Sequence, residues 1–331
     1  MKNKLENIKT NIVTGFLGVG KTSAILHLMA QKPSKEVWAV LVNEFGDIGI
    51  DGAIYKSHGV AVKEIPGGCM CCAAGVPLQV AVNQVLKEIR PNRLLIEPSG
   101  LGHPKRVLDT LRGEYFKRVL DIRSVICLID PRNLLDSRYT THENFIDQIS
   151  LADILVANKI DLCDEVALRA FDHYVDQLTP AKQRIIKTQL GELDDSVLDG
   201  LANPLLKAVH PAHHVIAINE SKGDADVSMQ SEERDGFTSV GVKFSRDKVF
   251  DFSALEAFFY ELLLTPDVRI KAILNTNHSY AAWQIFNGTQ QQFKSMAIEV
   301  STDNRLEVIY RLGELSISQQ QLNDGLDACL V

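Results

Sequence analysis

Two domains of different class are predicted, an α/β domain over residues 1–218 and a small α+β C-terminal domain over 237–331, joined by an acidic linker at 219–236. In the first part, short continuous apolar runs alternate with helical stretches, the pattern of a mostly parallel sheet flanked by crossover helices. At 219–235 the chain reads NESKGDADVSMQSEERD, polar and acidic with little to bury. From Phe237 onward, strand-like runs return around one helical stretch.

The runs place strands of the first domain at 11–14, 37–42, 93–96, 124–129, 154–157 and 184–187, with helices at 22–30, 76–89, 104–111 and 164–177. In the second domain they predict a strand at 240–244, a helix at 251–264, and strands at 268–274, near 296–300 and at 306–310. A chain of 331 residues is long enough to bury a core in each part. A net charge of −7 without a long basic run argues against nucleic acid as the main partner. No apolar run approaches the roughly 18–20 residues of a membrane span, so no membrane partner is expected. Residues 1–7, MKNKLEN, are too polar for a secretory signal, which points to the cytoplasm and reduced thiols.

The segment Gly15-Phe16-Leu17-Gly18-Val19-Gly20-Lys21-Thr22 fits G-x-x-x-x-G-K-[ST] between a predicted strand and a predicted helix. Its glycines let backbone N–H groups curl around phosphates, and the helix N-terminus adds a favourable field. Lys21 is expected to reach the β- and γ-phosphates and the Thr22 hydroxyl to ligate Mg²⁺, with Gly15, Gly18, Val19, Gly20 and Ser23 completing the cradle. Asn158-Lys159-Ile160-Asp161 follows the predicted strand 154–157 and resembles the N-K-x-D element of GTPases. The Asp161 carboxylate would accept from guanine N1 and the exocyclic amine, a donor pair that adenine lacks. Glu97-Pro98-Ser99-Gly100 closes the strand 93–96. Glu97 is placed to hold Mg²⁺ through water and the Gly100 amide to face the γ-phosphate; most P-loop proteins use Asp for the first task. Asp130, after the strand 124–129, is the rival for that support. Lys21, Thr22, Glu97 and Gly100 are therefore the expected catalytic set.

Three of the six cysteines, Cys69, Cys71 and Cys72, follow Pro66-Gly67-Gly68. Thiolates are soft ligands, suited to zinc or another soft metal. Three of them leave a fourth tetrahedral position for water, Asp47 or a client's ligand, an open site that suits a metal that must leave. A redox switch and a cluster of buried small side chains are the competing readings. Cys127, Cys163 and Cys329 are isolated, as are His27, His58, His103, His142, His173 and His278, for which structural roles are expected. His210, His213 and His214 cluster without matching a zinc-site spacing.

With Asn43-Glu44-Phe45-Gly46-Asp47 between the P-loop and Gly68-Cys69-Met70-Cys71-Cys72, the order of motifs resembles the CobW-like metallochaperone GTPases, relatives of the urease- and hydrogenase-maturation GTPases. Arg269-Ile270-Lys271 resembles the R-x-K-G of that family's C-terminal domain, with Ala272 in place of Gly. The resemblance implies a P-loop GTPase domain and a GTP hydrolase that hands a transition metal to a client apo-metalloprotein. Zinc is the implied cargo, with cobalt as another soft divalent candidate. A homodimer is compatible with it. Two departures stand out: a His-rich tract is replaced by the sparse His210–His214 cluster, and Val42 precedes the N-E-F-G where some members place Glu.

Residues 43–51 fit a first nucleotide switch and 97–102 a second, with the cysteine motif between them in sequence. Segments ordered by γ-phosphate relax on hydrolysis, so GTP is expected to shape the thiolate site and hydrolysis to loosen it. Glu44 and Asp47 are candidates by placement for holding the attacking water. A P-loop small-molecule kinase and a redox- or metal-sensing regulatory protein are the alternatives. The first leaves Asn158–Asp161 and the cysteines unexplained, and the second would show near-zero turnover.

Overall fold

The structure, a computed structural model, describes residues 6–42, 50–64, 76–102, 104–210, 227–234, 237–265, 268–278, 282–289, 292–298, 304–311 and 319–331. The expected metal ligands Cys69, Cys71, Cys72 and Asp47, together with Glu44, His103, His213 and His214, lie outside the described residues. The chain divides into two units, Met1–Asn43 with His58–His214, and Glu44–Ser57 with Val215–Val331.

The first unit begins β1 (Ile8–Gly15), α1 (Lys21–Ala30) and β2 (Trp38–Val42). The helix α2 (Ile50–Ser57) follows in sequence but groups with the second unit. The first unit continues with β3 (Ala61–Glu64), α3 (Val76–Glu88), β4 (Arg93–Glu97), α4 (Pro104–Arg112), β5 (Leu120–Ile129), the short α5 (Ser137–Thr140), α6 (Glu143–Leu151), β6 (Ile154–Ala157), α7 (Glu165–Asp176) and β7 (Arg184–Lys187). All seven strands are parallel, in the order β3-β2-β4-β1-β5-β6-β7. Strands β2, β4 and β6 are buried along their whole length, as the continuous apolar runs require. Ile12, Leu41, Leu94 and Ile96 form one core with Leu78, Val82 and Val85 of α3 and Val107, Leu108 and Leu111 of α4. The chain places β2 and β3 on one side of β1 and β5 to β7 on the other. The ends of β4, β1, β5 and β6 therefore adjoin where strand order reverses, the position at which open α/β sheets bind ligands.

The second unit contains β8 (Val227–Arg234), β9 (Phe237–Phe244), α8 (Phe252–Leu263), β10 (Arg269–Asn275), β11 (Trp283–Thr289), β12 (Gln292–Ile298), β13 (Asn304–Arg311) and α9 (Gln319–Asp327). Its sheet is antiparallel, in the order β12-β11-β10-β13-β9-β8. Val240, Val242, Ile270, Ala272, Leu306 and Val308 alternate onto one face and pack with Leu255, Phe259 and Leu263 of α8 and Leu322 and Leu326 of α9. On β10, Lys271 is buried and stands in register with the buried Glu307 of β13, which accepts a 2.9 Å hydrogen bond from Ser239.

Several elements differ from the sequence expectation. The span 219–236 was expected to be a linker, yet it carries β8, whose eight residues all register against β9. An edge strand needs only one ladder, so its composition stays close to that of a loop. The four-residue β3 was too short to stand out, and α2, α5, β11 and α9 were also unforeseen. So was α6, whose buried positions include Asn144, Asp147 and Gln148 and break the apolar periodicity that marks a helix.

Candidate functional site

Four neighbouring strand ends build the site. At the end of β1 the chain turns through Gly15, Gly18 and Gly20, all at positive φ, and enters α1 at Lys21. Gly20 lies at φ +97°, and a Cβ there would stand 2.5 Å from Asn158 Nδ2, so both conformation and space demand glycine. Gly20 brings no side-chain cap, and the first turn of α1 carries no acidic residue. The positive end of the helix dipole thus faces the P-loop, a setting for phosphate. Lys21 is buried, and its Nζ donates to Phe16 O at 3.2 Å, which lays the ammonium along the P-loop.

At the end of β4, next to β1, Glu97 is 3% exposed and its carboxylate accepts from Thr22 Oγ1 at 3.1 Å and 3.5 Å. The two expected Mg²⁺ residues, 75 positions apart in sequence, thus meet. Their donors are all oxygen, which suits a hard divalent cation. The loop beyond Glu97 is pressed against the P-loop, since a Cβ on Gly100 would lie 2.9 Å from Leu17 N.

Asn158 at the end of β6 is buried, donates from Nδ2 to Val19 O at 2.8 Å and accepts at Oδ1 from Gly191 N at 3.0 Å. It braces the P-loop against the loop after β7. Lys159 takes the left-handed conformation at φ +61°, and its ammonium stands 3.7 Å from Asp130 Oδ2. Asp161 is exposed. Asp130 ends β5 and accepts from Arg132 Nε at 2.9 Å and Arg132 Nη2 at 2.6 Å. These bonds engage Asp130 with Arg132 beside Lys159, whereas Glu97 is the carboxylate that meets Thr22. The hydrogen bond with Asp130 is the main cause raising the Arg132 pKa.

The loop after β7 has no motif visible in sequence. Leu190 and Gly191 take consecutive left-handed conformations, at φ +53° and +76°, and Ile160 N donates to Thr188 O at 3.2 Å. A Cβ on Gly191 would meet Ala24 N at 2.6 Å, so this turn lies against the start of α1 as well as Asn158. The Gln-Leu-Gly sequence permits such a turn, the one local signal that could have flagged it.

Among the described residues, several of the isolated cysteines and histidines contact the surrounding fold. Cys127 is buried in β5, where burial pushes its thiol up to about 12, and burial also raises Cys163. His27 faces the Leu193 backbone, His142 accepts from Asn144 N at 3.2 Å, and His210 stands 3.3 Å from Asp147. Among the described residues no three His, Cys, Asp or Glu side chains gather as metal ligands, and no helix is long and apolar enough to cross a membrane.

Residues 9–186 match the family described as CobW/HypB/UreG, nucleotide-binding domain. The chain belongs to that family. Residues 239–330 match the cobalamin synthesis protein cobW C-terminal domain, so CobW-type sequence accounts for both units. The zinc chaperone YeiR of Escherichia coli (strain K12) is 42% identical over 278 residues, covering 80% of this chain and 82% of YeiR. The zinc chaperone CobW of Pseudomonas aeruginosa is 31% identical over 232 residues, 60% of each chain. The zinc chaperone CobW of Sinorhizobium sp is 29% identical over 222 residues, 59% of this chain and 62% of that relative.

Proposed function

We infer that this CobW-family chain is a GTP-hydrolysing metallochaperone that binds a transition metal, zinc above others, and transfers it to a client apo-metalloprotein under GTP control. The observation that carries the nucleotide half is the meeting of Thr22 with Glu97 beneath a P-loop braced by Asn158. Lys21 and the amides from Gly15 to Thr22 hold the phosphates, and the Gly100 amide faces the γ-phosphate. Asp161 accepts from guanine, and the aliphatic stem of Lys159, steadied by Asp130, lies along the base. Mg²⁺ held by Thr22 and, through water, by Glu97 would neutralise charge on the β- and γ-phosphates. The all-oxygen pair fits that ion and not a soft one.

The metal cargo is assigned to Cys69, Cys71 and Cys72, with Asp47 or a client ligand in the fourth position. Support comes from the thiolate chemistry of the motif and from three similar proteins that carry the name zinc chaperone. A cytoplasmic location fits reduced thiols. Anaerobic zinc titration of the wild type and Cys71→Ser, followed by phosphate-release assays with GTP and ATP, tests the reading. One zinc per chain lost in the variant, with turnover of GTP alone, is expected. Equal zinc binding by both proteins, or turnover of ATP, would overturn it.

A further inference from the structure

Helix α6 buries Asn144, Asp147 and Gln148 among Phe145, Ile149 and Leu151, and two of the three polar side chains reach one loop. Asn144 Nδ2 donates to Leu101 O at 2.8 Å, and Gln148 Nε2 donates to Gly100 O at 3.0 Å and, at a longer 3.4 Å, to Gly102 O. Three consecutive carbonyls, two residues beyond the strand that ends in Glu97, are thus held by two carboxamides one helical turn apart. Both side chains are buried, Asn144 at 5% exposure and Gln148 at 1%. Carbonyl oxygens only accept, so the NH₂ ends of both amides are fixed towards the loop. Gln148 Oε1 is buried with no donor among the described residues. An unmatched buried acceptor is unfavourable, so this glutamine is not explained as a simple filler of the core.

The same helix is tied to the P-loop. His142 at its N-cap and Phe145 in its first turn set their rings edge-on to Phe16, with centroids 5.0 Å and 6.1 Å away. The P-loop and residues 100–102 are therefore positioned by one rigid element.

We propose that Asn144 and Gln148 are positioning residues for GTP hydrolysis, a clasp that anchors the Gly100, Leu101 and Gly102 carbonyls. It thereby holds the turn, closed by Gly102 N donating to Ser99 O at 2.8 Å, in which the Gly100 N–H is presented to the γ-phosphate. This rests on the assignment of Gly100 to the γ-phosphate made above. GDP has no γ-phosphate, so the clasp acts on GTP and on the transition state and leaves GDP binding alone. A merely structural role would weaken both nucleotides together.

The test uses the full chain with Gln148→Met and Asn144→Leu, singly and combined, which keep volume and remove the donors. Affinities for GDP and for a non-hydrolysable GTP analogue are measured beside kcat. The double variant is expected to lose about 10- to 100-fold in kcat and in analogue affinity, as for a misdirected donor, with GDP affinity retained. GDP affinity also reports that the variants are folded, and the single variants serve if the double does not fold. Asp147→Asn is the control for loosening α6 itself, since Asp147 accepts from Val209 N and His210 N. It is expected to lower the unfolding temperature without shifting the analogue-to-GDP ratio. Folded clasp variants with an unchanged ratio, or parallel losses for both nucleotides, overturn the clasp while a wild type that hydrolyses GTP leaves the function reading standing. A wild type that binds no guanine nucleotide overturns that reading instead.

Discussion

The two ends of the parallel sheet bury similar polar residues to opposite effect. At the N-terminal end, Arg93 donates to Asn11 Oδ1, Leu198 O and Asp199, while Asn11 Nδ2 donates to Ser124 O and Leu198 O. Lys9 adds a second cation on Asp199, and the Arg93 guanidinium stacks 5.1 Å from the Trp38 ring. Those groups close on one another, with Arg93 Nε alone of the guanidinium nitrogens lacking a hydrogen-bond partner among the described residues. At the C-terminal end, Lys21, Thr22, Glu97 and Asn158 are also buried or half-buried, but they converge on the P-loop, the segment proposed to hold phosphate. A network whose members bond mainly to one another holds a fold, and one gathered on a phosphate-binding loop is a candidate for chemistry.

The difference predicts which changes lose activity and which lose stability. Lys21→Ala removes the only P-loop cation and is expected to lower kcat by about 100-fold or more. Its unfolding free energy should shift by less than ~1 kcal/mol, checked by phosphate release and denaturant titration. Asp161→Asn replaces an acceptor with donors, so GTP affinity should fall by about 30- to 100-fold while xanthosine triphosphate gains, measured by competitive binding. At the other end, Arg93→Met strips a donor from Asn11, Leu198 and Asp199 at once. It should destabilise by about 2–3 kcal/mol with turnover per folded molecule unchanged. An Arg93 variant that loses turnover but not stability would erase the contrast between the two ends.

The smallest effect is a pH dependence. Burial alone would raise the Asp199 pKa, but hydrogen bonds from Arg93 and Lys9 outweigh it and leave the carboxyl below its ordinary value. A depressed folded pKa adds stability that is present above the unfolded carboxylate range and is lost as pH falls through the folded value. Because the Asp199 side chain is 60% exposed, the contribution is small. Between about pH 5 and pH 3, the unfolding temperature of the wild type should fall slightly more than that of Asp199→Asn.

Legibility in sequence follows the same contrast. The strands of the first unit were readable because parallel strands buried on both faces are continuous apolar runs, and the P-loop and Asn158–Asp161 because their spacing is tied to strand ends. Thr22 and Glu97 were each assigned to Mg²⁺ from their positions in sequence; their direct hydrogen bond at 3.1 Å is a finding of the structure. Elements whose environment is polar escaped: α6, with Asn144, Asp147 and Gln148 inward, and β8, hidden in an acidic stretch. The brace from Asn158 to Gly191 escaped because it joins backbone to side chain across loops, where residue type says little. The hydrogen bonds from Arg132 to Asp130, a rival for a supporting role by its place at a strand end, were likewise not legible in sequence.

On the proposed function, nucleotide state governs metal release from Cys69, Cys71 and Cys72. A zinc competition titration of the reduced, full-length protein against a chelator, with GDP in one series and a non-hydrolysable GTP analogue in the other, tests it most directly. A zinc affinity at least about tenfold tighter with the analogue, a coupling of ~1.4 kcal/mol, is predicted. Identical affinities in the two series would contradict it.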